Sequence, residues 1–194
     1  NLLAWYSSYG MTTDVTAPGG SRFQTPTFDP TRGRVLSTYS HTAGDLALEI
    51  DTLIRREGFE KTAFDTIVAS GPNAGLPHAR PSRRILSEGD LVVLDFGGVY
   101  DSYCVDLTRM ASAGRVGAEA ESLYRAVRQA LEAGVAAVQP GQLTSDVDGA
   151  ARGVLERQQL GSAFVHGLGH GLGLDVHEAP RVGPGSPAEA VRLE

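Results

Sequence analysis

Two aspartates and a cluster of histidines are the residues whose types and spacing point to chemistry. Asp95 interrupts an otherwise apolar run, LVVLDF (91–96), and Asp106 follows in VDLTRM (105–110) after a turn-rich stretch. If the chain reverses at Tyr100 and Asp101, residues whose numbers sum to 201 face each other, and Asp95 stands opposite Asp106. Like charges so placed destabilise a strand pair, and a buried carboxylate without a partner is costly. A divalent cation between them removes the conflict, because carboxylate oxygens are hard ligands. The plainer alternative is another register, with one Asp at a turn or edge.

The second feature is HGLGHGLGLDVHE (166–178). His166 and His170 are four apart, but the glycines at 167, 169, 171 and 173 argue against a helix. In an extended chain these glycines share one face and admit another backbone or a ligand. His166 and His170 then share the opposite face, and a turn is needed before His177 can join them. Three of the five histidines lie in this stretch. A fourth, His78, lies in GPNAGLPHARPS, whose Gly, Pro and Asn content marks a loop. Alone it reads as an ordinary surface histidine. Arg80, Arg83 and Arg84 suit either an anion site or solvated charges. Cys104, the only cysteine, reads as a small buried hydrophobe, since nothing marks it as activated.

Helices and strands must position these residues. Thr42 and Asp45 have capping-box spacing, and Leu46, Ile50, Leu53 and Ile54 follow at helical spacing up to Gly58. A second helix is predicted over 118–138, with Leu123, Val127 and Leu131 on one stripe. A third starts near Thr144 or Ser145, carries Val147, Val154 and Leu155, and ends at Gly161. The three stripes read as core faces. Strands are predicted at 64–70, 91–96 and 105–110. Helix, strands, two helices and a Gly-rich extended segment argue for an α+β fold with a largely antiparallel sheet. Residues 1–41, dense in Thr, Pro, Gly and Ser, read as a loop-rich lead-in with a short apolar anchor at Leu2, Leu3, Trp5 and Tyr6.

Composition narrows the function classes. The chain has 194 residues, 41% hydrophobic and 21% charged, which suits a globular protein with a sizeable core. Seventeen Lys and Arg against 23 Asp and Glu give a net charge of −6 with no basic stripe, which argues against nucleic-acid partners. No apolar run approaches a membrane span. The first residues do not read as a signal peptide, and a cytoplasmic location is expected. One cysteine excludes intrachain disulfides and Cys-rich zinc sites.

Together SGPNAGLPHARPS, LVVLDFGGVYDSYCVDLTRM and HGLGHGLGLDVHE resemble the creatinase/prolidase/methionine-aminopeptidase family of "pita-bread" metallopeptidases, with the strongest likeness to Xaa-Pro aminopeptidases. The resemblance covers about 43–194. It implies a pita-bread catalytic domain over 42–194, an antiparallel sheet covered by helices, cut short at its C-terminal end. It further implies two divalent metal ions, with manganese favoured over cobalt or zinc, held in part by Asp95, Asp106 and His170. By the same likeness His78 and His177 act at the substrate and the developing tetrahedral intermediate. His166 matches a histidine of the proline-specific branch and is expected to bind substrate.

Two glutamate ligands of the family belong to segments beyond the histidine motif, and neither Glu189 nor Glu194 sits in a matching motif. Weak metal binding and little activity are therefore expected of the chain as given, which reads as a fragment. The implied activity is removal of an N-terminal residue that precedes proline, so the expected partner is a peptide with proline second. The alternatives are an Xaa-Pro dipeptidase or a non-catalytic binding member. Homodimerisation is compatible with the family, though no interface motif is visible.

Overall fold

The computed structural model describes residues 42–185 and 190–194. The lead-in, its apolar anchor and Glu189 lie outside these. Helix α1 (Ala43–Arg56) starts as its sequence predicts: the Thr42 hydroxyl accepts from the Asp45 backbone N–H at 3.1 Å, and the Asp45 carboxylate accepts from the Thr42 N–H. This reciprocal cap satisfies two N–H groups that a helix start otherwise leaves unpaired.

Strands β1 (Lys61–Thr62), β2 (Ile67–Ser70), β3 (Leu91–Phe96), β4 (Gly98–Tyr100), β5 (Tyr103–Cys104) and β6 (Leu107–Ser112) follow. They form two three-stranded sheets, ordered β2-β3-β6 and β1-β4-β5, and every pairing is antiparallel. Ala43 and Ala47 of α1 pack with Val68, Val92 and Ala111 on one face of β2-β3-β6, while Ala69, Val93 and Ala79 cluster apart from them. Period-2 alternation along β3 thus splits Val92 and Val93 between two clusters.

The hairpin register differs from the expected one. The reversal occurs at Asp101 and Ser102, both with positive φ (48° and 72°), so partners sum to 203, and Asp95 lies opposite Thr108. A two-residue hairpin favours left-handed backbone at both central positions because that matches the strand twist. The Asp-Ser pair lacks the usual Asn-Gly signature of such a turn. The slip of two preserves side-chain parity, so Asp106, two residues before Thr108, stays toward the Asp95 face.

Gly97 sits between β3 and β4 where no side chain fits. A Cβ there would overlap the Val105 carbonyl oxygen and lie 2.9 Å from Phe64 Cε1. Gly97→Ala should therefore destabilise by about 3 kcal/mol through overpacking against backbone. A urea melt checks this, and a loss below about 1 kcal/mol would contradict so tight a fit.

Helices α2 (Ala118–Ala137) and α3 (Thr144–Arg157) pair through Ala126, Val127, Ala130, Ala151 and Leu155, with Phe164 completing the cluster. Then β7 (Gly169–Gly171) pairs with β8 (Glu178–Val182). The glycine face expected for close approach does admit backbone: a Cβ on Gly167 would meet Val182 O at 2.8 Å, and one on Gly171 would overlap Ala179 O. Among the described residues, no helix is long and apolar enough to cross a membrane.

Candidate metal centre

Asp95 enters the site from the interior strand β3, where the residue is 5% exposed. The Thr108 hydroxyl, directly across the ladder, donates to Asp95 Oδ1 at 3.0 Å. Asp106 lies between β5 and β6, and its Oδ1 is buried without a hydrogen-bond partner among the described residues. Burial, then the neighbouring Asp106 charge, pushes the Asp95 carboxyl up to about 6, and the Thr108 hydroxyl only partly offsets them. Burial also raises Asp106, against the opposing influence of His170. Two desolvated carboxylates side by side resist ionising together.

His170, on β7, closes the cluster from the other end of the chain. Its Nε2 stands 3.6 Å from Asp106 Oδ2, and its ring lies 4.3 Å from that of His177. A register irregularity after His170 and the bends that follow bring His177 back to it. That segment is tied down by the Cys104 N–H donating to Gly173 O at 2.7 Å and the Asp175 N–H donating to Glu178 Oε1 at 2.8 Å. Cys104, half-buried rather than a buried hydrophobe, thus holds the loop through its backbone and through its thiol, which donates to Leu174 O at 3.4 Å.

A cavity of about 900 Å³ opens over the two aspartates. His78, Asp95, Asp106 and His177 line it, with Asp51 and Leu48 of α1, Phe64, and the Arg80–Arg83 loop. The His78 loop is seated by buried Ala79 against Ala69 and Val93. It is closed by Arg84, which donates through Nη2 to Asp90 Oδ1 at 2.9 Å and through Nη1 to the Ser70 hydroxyl at 2.9 Å. Burial works to raise the Asp90 carboxyl, but Arg84 and the Ser87 N–H outweigh it and hold it below its ordinary value. Arg84 is therefore a structural ion pair and leaves the expected anion group, while Arg80 and Arg83 remain on the cavity wall. His166 does not line the cavity. Its Nδ1 lies 2.7 Å from Gly167 O, and its ring meets Phe164 edge-on at 5.0 Å.

Two residues that the sequence reading passed over sit beneath this segment. Asp148 and Arg152 of α3 form a buried ion pair that bonds the backbone of 164–168. Charged residues spaced i, i+4 beside the apolar Val147–Ala151–Leu155 stripe were the available signal.

The donors suit a hard divalent cation: two carboxylates that repel one another, a buried oxygen with no partner, and an adjacent imidazole. They are an incomplete shell, since among the described residues no three His, Cys, Asp or Glu side chains converge tightly enough to hold an ion. Carboxylates and imidazoles lining one cavity, on an α+β frame, are the donor chemistry of a metallohydrolase.

The chain belongs to metallopeptidase family M24, whose family model matches residues 33–194. It is 38% identical over 138 residues to the Xaa-Pro dipeptidase of Pyrococcus furiosus, covering 71% of this chain and 40% of that protein. Among solved structures it resembles the prolidase of Thermococcus sibiricus (41% identity, TM-score 0.73, 74% of this chain and 40% of that one). It also resembles the X-Pro aminopeptidase of Thermotoga maritima (38%, 0.72, 74% and 41%). The chain thus spans about 40% of the length of these relatives. The pita-bread fold and the metallopeptidase family expected from the motifs both hold.

Proposed function

We propose that this chain forms part of the catalytic domain of an Xaa-Pro dipeptidase. The observation that carries the reading is the buried Asp95–Asp106 pair, with its unpartnered oxygen, on the wall of a cavity that also bears His78 and His177. Asp95, Asp106 and His170 would supply part of the shell of a divalent metal, with manganese the first choice because carboxylate-rich donor sets suit it. The metal supplies Lewis acidity toward the scissile carbonyl. His78 and His177 flank the substrate and offer hydrogen bonds where its carbonyl oxygen gains charge. His166 keeps its assignment to substrate binding from the family resemblance alone, since its ring packs on Phe164.

The dipeptidase alternative replaces the aminopeptidase reading for two reasons. Relatives and solved structures with dipeptidase or prolidase names outnumber those named aminopeptidase among the strongest matches. In addition, Arg80 and Arg83 line the cavity and have no carboxylate partner among the described residues. A dipeptide, unlike a longer peptide, ends in a carboxylate one residue past the scissile bond, and guanidinium groups pair with carboxylates well.

The test is competitive binding to the chain, in excess manganese, of an Xaa-Pro dipeptide, its C-terminal amide and a tripeptide, read by calorimetry. The dipeptide is expected to be preferred about tenfold or more, the scale of one or two charge-assisted hydrogen bonds. Arg80→Gln together with Arg83→Gln should erase that margin. Equal handling of all three ligands by the unmodified chain would favour the aminopeptidase instead.

A further inference from the structure

The Asp148–Arg152 pair is placed unusually for helix charges. Both belong to α3, one turn apart, and their side chains are only 2% and 18% exposed. Arg152 Nε donates to Asp148 Oδ2 at 2.7 Å, and Nη2 donates to Oδ1 at 3.1 Å. The rest of the guanidinium reaches off the helix: Nη1 donates to Phe164 O at 2.7 Å, and Nη2 to His166 O at 2.9 Å. The Asp148 carboxylate in turn accepts from the Leu168 N–H at 3.0 Å. Three backbone groups in five consecutive residues are thereby held by one ion pair. The guanidinium also lies 4.2 Å from the centre of the Phe164 ring, which is itself buried.

Burying two charges costs more than an apolar pair of similar volume, so such a pair is poor evidence for stability alone. What distinguishes this one is where its hydrogen bonds go. The segment 164–168 bends at His166 and Leu168 and leads directly into the short strand β7. The planar fork of an arginine fixes direction as well as distance, because its five N–H groups are set in one plane. Two residues past the clamped Leu168 stands His170, whose Nε2 faces Asp106 at 3.6 Å from the far side of the cluster.

We propose that Asp148 and Arg152 are positioning residues: they clamp the 164–168 backbone to α3 and so set the reach of His170 toward Asp106. The inference rests on the metal-site reading for its effect on metal affinity, though not for its effect on His170 itself. Neither residue touches substrate or metal. Their role is the one that outer partners of ligating side chains play elsewhere, where loss costs about 10–100-fold in affinity.

The test uses the whole chain with Arg152→Lys, Arg152→Gln and Asp148→Asn, against Val154→Ala as a control that loosens the same helix without touching the clamp. Lysine retains the charge for Asp148, but its compact ammonium lacks the fork that spans both carbonyls. Manganese affinity by calorimetry should fall about 10–100-fold in the clamp variants and stay within threefold in Val154→Ala, with all variants folded and melting well above the assay temperature. In the metal-free chain, proton NMR should show the nuclear Overhauser contact between the His170 and His177 rings weakened, and the Leu168 amide exchanging faster, in the clamp variants only. Clamp variants that keep both the ring contact and wild-type affinity would overturn the inference. If the parent chain binds manganese too weakly to titrate, the ring contact and amide exchange decide the clamp: both unchanged in the clamp variants would overturn it.

Discussion

Asp106→Asn is expected to weaken manganese binding by about a hundredfold or more while leaving the metal-free chain as stable as before, or more so. Asp106 has one buried oxygen without a partner and another facing His170 at 3.6 Å. Asparagine preserves the shape, removes the charge and supplies an N–H₂ donor toward Asp95. It thereby relieves the repulsion that, after burial, raises Asp95. The affinity loss should exceed the 10–100-fold typical of partners that only orient a ligand, since Asp106 is assigned as a ligand. Calorimetric titration with manganese and a thermal melt of the same sample read both quantities. A purely structural aspartate would show the reverse, a lower melting temperature with the isotherm unmoved, and that result would remove the metal site.

The second large effect concerns pH. Asp95 ionises near 6 in the folded chain but near its ordinary 3.8 when unfolded. Between those values the folded state holds a proton that the unfolded state has released. Stability therefore falls as pH rises through this window, and levels off above it. A shift of roughly two units corresponds to about 3 kcal/mol, or roughly 6–12 °C in melting temperature for a chain of this size.

Asp90 slopes the other way, because its lowered value stabilises the fold at neutral pH and that contribution is lost in acid. The informative quantity is accordingly the difference between the wild-type chain and Asp95→Asn. The variant should gain on the wild type from pH 4 to 7 without metal, and saturating manganese should cancel the gain, since the cation replaces the proton. A difference that stays flat across this range would rule out a buried, proton-holding Asp95.

Much of the frame was legible because its signals are local. The Thr42–Asp45 cap, the three apolar stripes and the 91–96 strand follow from spacing within a few residues, and α1, α2 and β3 appear within a residue or two of where that spacing puts them. Helix α3 starts as expected but ends at Arg157 rather than Gly161, because Gln159 takes a left-handed backbone there. The glycine ladder announced a close backbone approach, and Ala179 and Val182 make it. The hairpin register was harder. It turned on Asp101 and Ser102 adopting left-handed backbone, which neither residue type advertises strongly. The even slip nevertheless preserved the facing of the two aspartates. Arg84 looked like one of three equivalent cations, until Asp90 and Ser70 singled it out.

The sequence by itself determined which residue types carry the chemistry, which side of each element they occupy, and the family. Those depend on composition, on periods of 2 and 3.6, and on short motifs. Only the tertiary structure decided which groups are desolvated, which are left unpartnered, and which segments brace others. Asp106 meets His170 from 64 positions away (170 − 106), and Arg152 of α3 grips backbone ahead of β7. Burial and pairing energies depend on everything near a group in space. A carboxylate that is ordinary in the sequence therefore becomes a proton-holding one only after folding has removed its water.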